Sequence, residues 1–142
     1  MEESIKIEEA IVKALKLETV DPRTYSPLVL AYIGDAVYEL LIRTKVINHG
    51  SMQVNKMHKK SASLVKAETQ ANLIKAIQDD LTEEELAVYK RGRNANSATM
   101  AKHATMSDYR RATGFEALMG YLYLTCRTER ILELAKKGLE ED

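Results

Sequence analysis

One cysteine, Cys126, leaves no internal disulfide framework and suits a reducing cytosol. Charge of neither sign is in excess: 21 Lys and Arg balance 21 Asp and Glu, so the global charge names no partner. No apolar run approaches the roughly 20 residues that a membrane span needs. The start, MEESIKIEEA, is acidic and has neither the basic opening nor the apolar run of a secretion signal. Tryptophan is absent, and only two prolines and six glycines punctuate the chain. These absences lead to the expectation of a soluble, cytoplasmic protein. What is present is a hydrophobic fraction of 45%, ample for a core, in 142 residues, the length of one ordinary domain. Ala, Leu, Glu and Lys dominate, which favours helix.

SIKIEEAIVKALKL reads as a short amphipathic helix, followed by the loop ETVDPRTYS. Ser26 is a natural N-cap, Pro27 suits a first helical position and Gly50 suits a C-terminal stop, so a long helix is expected from about Pro27 to Asn48. The stretch from Ser51 to Asp80 reads as two helices joined near Lys60. Thr82 and Glu85 stand in capping-box spacing, and the acids of DDLTEEE suit a helix start. RNANSATMAKHATMS is polar and reads as loop or irregular helix. DYRRATGFEALMGYLYLTC is a second apolar helix, and TERILELAKKGLEED is a terminal amphipathic one. No alternating strand stands out, so the expected class is all-α, in a single domain over residues 1–142.

Two of these helices share an oddity. LAYIGDAVYEL sets Gly34 and Asp35 into an apolar helix, and ATGFEALMG sets Glu116 between Gly114 and Gly120. Glycine costs about 1 kcal/mol against alanine in a helix interior. It also lets another backbone come close. If the two helices pack together, Asp35 and Glu116 can meet in one cleft, where they repel unless a proton or a cation joins them. A hard cation such as Mg²⁺ takes one or two carboxylates and completes its shell with waters and phosphate oxygens, which points to phosphodiester chemistry. The same residues could instead be acids satisfied by structural hydrogen-bond partners.

LAYIGDAVYEL resembles the signature helix of the ribonuclease III catalytic-domain family, and FEALMGYLYL resembles the family's second motif, Val-Glu-Ala-Leu-Ile-Gly. The two motifs lie in the family's order, about eighty residues apart, within a resembling core of about residues 25–124. The chain leaves no room after that core for a double-stranded-RNA-binding domain, which makes it similar to the short Mini-ribonuclease III type. The resemblance implies an all-helical endonuclease fold that dimerises through the signature helix, around Tyr32, Ile33 and Gly34. It further implies that Asp35 and Glu116 are catalytic and ligate Mg²⁺. Two positions depart from the larger family. Ala31 stands where a glutamate is usual four residues before the signature aspartate, and Thr113 where an aspartate is usual three residues before the glutamate. Weaker Mg²⁺ binding is therefore expected.

Glu39, one turn beyond Asp35, reads as a structural or dimer-contact acid. From Lys90 to Arg111 the chain gathers Lys90, Arg91, Arg93, Lys102, Arg110 and Arg111 against one acid, Asp108. Such cations beside a carboxylate site suit an RNA backbone. Asn94 and Asn96 suit phosphates or 2′-hydroxyls. Arg91, Arg93, Asn94, Lys102, His103, Arg110 and Arg111 are the expected RNA contacts, with Lys56, Lys59 and Lys60 ranked below them. His49 and His58 have no metal spacing, and Cys126 is expected in the core. Tyr121 and Tyr123 point to opposite sides of their helix, so at most one lines a site. The resemblance implies an Mg²⁺-dependent homodimeric endoribonuclease that cuts double-stranded RNA and matures 23S ribosomal RNA, with a ribosomal protein presenting the substrate. The competing reading is a non-catalytic RNA-binding or interaction module on the same fold, motivated by Ala31 and Thr113.

Overall fold

Ser26 opens the longest helix as its sequence requires: its hydroxyl accepts the Val29 amide at 3.2 Å, with Pro27 in the first turn. In the computed structural model, which describes residues 6–48, 50, 53–95 and 105–140, this helix is α2, Pro27–Ile47, after a short α1, Ile7–Ala14. Next come α3 (Val54–Val65), α4 (Ala67–Ile77), α5 (Glu83–Arg93), α6 (Met106–Leu124) and α7 (Thr128–Glu140), with 3₁₀ turns at Pro22–Thr24 and Gln78–Asp80. Among the described residues there is no strand, so the chain is all-α. No described helix is long and apolar enough to cross a membrane.

The α3–α4 break differs from expectation. It falls at Lys66, whose backbone is extended (φ −68°, ψ 158°), and not near Lys60. No glycine or proline makes it. The carbonyls that end α3 are taken from beyond the break: the Thr69 hydroxyl donates to the Ser63 carbonyl at 2.7 Å, and the Gln70 amide to the Val65 carbonyl at 2.7 Å. At α5 the capping box closes as expected, with the Glu85 amide donating to the Thr82 hydroxyl at 3.1 Å and the Thr82 amide to the Glu85 carboxylate at 2.9 Å.

Helix α6 is the axis of the bundle. Phe115, Leu118, Met119 and Leu122 are fully buried, as expected of a helix that is apolar nearly all round. Around it lie Tyr38, Ile42 and Val46 of α2, Leu73, Ile74 and Ile77 of α4, Tyr89 of α5, and Ile131 and Leu134 of α7. Tyr38 meets Phe115 edge to face at 5.1 Å. Cys126 is not in this core. It is half-buried in the α6–α7 turn, its thiol pushed up to about 11 by burial and by the carboxylates of Glu8 and Glu9, so it is a poor nucleophile.

Candidate active site

The site begins as a contact between two backbones. A Cβ added to Gly34 would sit 1.7 Å from the Glu116 carbonyl oxygen, and one added to Gly120 would sit 1.9 Å from that of Leu30. No side chain fits in this crossing of α2 and α6, which explains why both helices accept glycine in their interiors. Gly114 serves a different neighbour: it packs on the Tyr89 ring and carbonyl of α5.

The crossing places Asp35 within hydrogen-bonding reach of Glu116. Asp35 is exposed and Glu116 half-buried. Burial, then the negative charge of Asp35 and a hydrogen bond between the two acids, push the Glu116 carboxyl up to about 8. One neutral donor works the other way: the Gln70 side-chain amide reaches the Glu116 carboxylate at 3.2 Å. Among the described residues no cationic side chain pairs with either acid. The pair therefore lacks positive charge, the condition under which two carboxylates suit a hard divalent cation. No group of three or more His, Cys, Asp or Glu gathers among the described residues. Ala31 is buried beside Leu30, Val88, Ala117 and Tyr121, and the buried Thr113 hydroxyl donates to the Tyr109 carbonyl at 3.0 Å, so both departures are packing positions.

The other singled-out residues separate clearly. Glu39 is engaged by Arg43 one turn on, Nε to carboxylate at 2.9 Å. Tyr121 is buried and its hydroxyl donates to Glu84, while Tyr123 is half-buried. Gly34 was expected at a contact between copies together with Tyr32 and Ile33. It is instead buried against α6, because the crossing leaves it no outward face. Tyr32 is 83% exposed, beside the exposed Leu28, Val29 and Leu40 of the same helix.

Gly92 meets Gly114, so the basic end of α5 is seated beside the α6 turn that leads to Glu116. Arg91 and Asn94 are exposed there, and the Arg93 guanidinium lies over the Tyr89 ring at 5.6 Å. Arg110 is exposed and Arg111 half-buried on α6, neither in an ion pair among the described residues. Asn96, Lys102 and His103 lie outside the described residues, as does His49. Lys56, Lys59 and Lys60 are exposed on α3.

Gln70 escaped the sequence reading. A signal was present: it shares the buried stripe of α4 with Leu73, Ile74 and Ile77, and a polar residue in an apolar stripe needs a partner.

Comparison with known proteins gives a consistent picture. The Ribonuclease III domain model matches residues 28–127. A Mini-ribonuclease 3 of Clostridium tetani is 54% identical over 117 residues, covering 82% of this chain and 78% of the relative. One of Brevibacillus brevis is 48% identical over 120 residues, covering 84% and 90%. A crystal structure of a Fusobacterium nucleatum protein is similar with a TM-score of 0.78 and 32% identity, covering 87% of this chain and 98% of that one.

Proposed function

Because this chain belongs to the ribonuclease III family, within its Mini-ribonuclease 3 group, we propose that it is an Mg²⁺-dependent endoribonuclease acting on double-stranded RNA. The observation that carries the reading is the uncompensated pair of Asp35 and Glu116 at the α2–α6 crossing. These two acids would hold the cation. When bound, it would activate the attacking water and stabilise charge on the leaving 3′ oxygen, giving 5′-phosphate and 3′-hydroxyl ends. Asp35 is the solvent-facing acid, so a cation held there would be open to an incoming phosphodiester. Glu116 is held from below by Gln70. Arg91, Arg93, Asn94, Arg110 and Arg111, with Lys102 and His103, would bind the RNA backbone. A-form RNA is met mainly through shape, phosphates and 2′-hydroxyls, which suits a cationic rim better than base-reading side chains.

The exposed Tyr32, with Leu28, Val29 and Leu40, is the face on which a second copy would pair, with Ile33 at its edge. Two copies would set two sites along one duplex, one per strand. Maturation of 23S ribosomal RNA precursor ends in the cytoplasm, with a ribosomal protein presenting the stem, completes the proposal. The test is cleavage of a labelled ribosomal-RNA precursor stem, with Mg²⁺ or chelator, by the wild type beside Asp35→Asn and Glu116→Gln. Discrete cuts needing Mg²⁺ and both carboxylates are expected. A folded protein that shifts the RNA on a gel yet never cuts it, with or without ribosomal proteins, would move the function to a non-catalytic RNA-binding module.

A further inference from the structure

Gln70 is 2% exposed and stands between two elements that the sequence holds far apart. Its Nε2 donates both to the Val65 carbonyl, where α3 ends, and to the Glu116 carboxylate. Turning the amide over would set its oxygen against these two acceptors, so the nitrogen is fixed as the atom that faces them. The cost is visible: Gln70 Oε1 is buried and has no hydrogen-bond partner. The choice of a neutral donor also matters. Lysine or arginine at this position would orient Glu116 equally well but would cancel its charge. An amide orients the carboxylate and leaves the charge for a cation.

We propose that Gln70 is the positioning residue for Glu116, fixing one carboxylate oxygen through the α3–α4 break so that the other is turned toward Asp35 and the cation they share. This rests on the reading of Asp35 and Glu116 as the cation's ligands. It also gives the break at Lys66 a purpose, since that kink supplies the carbonyl that anchors the amide.

The test uses Gln70→Met, which keeps the volume and removes both donors, and Gln70→Asn, which keeps the amide but falls one methylene short. Each is measured by thermal unfolding without metal, by calorimetric binding of Mg²⁺ and Mn²⁺, and by cleavage of the labelled stem over an Mg²⁺ series. The expected result is a folded protein with RNA affinity within about twofold of wild type, and Mg²⁺ affinity and kcat lowered roughly 10–100-fold, the usual range for a residue behind a metal ligand. In a Glu116→Gln background the metal-binding effect of Gln70→Met should vanish, because the amide acts through that carboxylate. Metal binding and kcat unchanged in both variants would overturn the proposal. So would the loss of folded protein in both variants before any metal is added, which would assign Gln70 to the fold. A wild type that binds no Mg²⁺ and cuts no RNA would instead reject the underlying nuclease reading.

Discussion

Two glutamates of this protein are held in opposite ways. Glu85, 3% exposed, opens α5 and accepts the Thr82 amide together with the guanidinium of Arg130, at 2.8 Å to each carboxylate oxygen. Burial pushes its carboxyl up, but the Arg130 and Thr82 hydrogen bonds outweigh that and leave it lowered. Arg130 also bonds the Asp80 carbonyl at 2.8 Å and pairs with Glu133, tying α7 to the start of α5. Glu116 receives burial too, but its neighbours are another acid and a neutral amide, so it is raised. An acid that belongs to the fold is given its counter-charge by the chain. Glu116 has no such counter-charge among the described residues, and the proposed cation would supply it.

The largest effect expected is on chemistry. Asp35→Asn or Glu116→Gln should lower kcat for cleavage roughly a thousandfold, about 4 kcal/mol of transition-state stabilisation, in single-turnover assays with a fold unchanged by circular dichroism. Next is the crossing itself. Gly34→Ala must push apart two backbones that leave 1.7 Å for the new methyl, so a loss of about 3 kcal/mol or more in denaturant unfolding is expected. Arg130→Met should then make Glu85 resemble Glu116, a buried acid without its cation, with a loss of roughly 2–3 kcal/mol at neutral pH.

The sharpest form of the comparison is a pair of pH profiles in metal-free buffer. Glu85 has a lowered folded pKa, so it stabilises the fold above the ordinary carboxylate range, and that stability is lost as pH falls through its folded value. Glu85→Gln should therefore lower Tm at pH 7 and do little at strongly acidic pH. Glu116 has a raised folded pKa, so ionising it works against the fold as pH climbs from about 4.5 toward about 8. Glu116→Gln should raise Tm above pH 8, by a few degrees, and change it little at pH 4. Profiles of the same sign for both variants would remove the distinction between the two acids.

Much of this was legible in the sequence, for local reasons. Ser26-Pro27 and the Thr82–Glu85 box act within one turn, so their residues declare the helix starts. Gly34 beside Asp35, and Glu116 before Gly120, declared a close packing with acids in it because glycine in a helix has few other uses. The α3–α4 break did not show, since the groups that cap it, Thr69 and Gln70, lie beyond it and carry no breaker residue. Gln70 as a partner of Glu116 did not show either, because 46 positions separate them and only folding brings α4 against α6. Gly34 reads both as a close-packing glycine and, with Tyr32, as part of a contact between copies; two positions apart on a helix, the two residues point about 200° apart, so Gly34 faces in where Tyr32 faces out.

The crossing of α2 and α6 is a joint of backbone on backbone at two glycines, with the Ile33 side chain packed beside Gly120. Most distances inside a protein are set by rotamers, and can be tuned by exchanging one apolar residue for another. The spacing of Asp35 and Glu116 is set instead by one peptide chain resting on another at Gly34 and Gly120, a separation with no lower value to move to. The surrounding core could therefore be rebuilt residue by residue while the two acids kept the same distance. What fixes the spacing of the two acids is thus separate from what fills the core, divided from it by two hydrogen atoms where other residues carry a side chain.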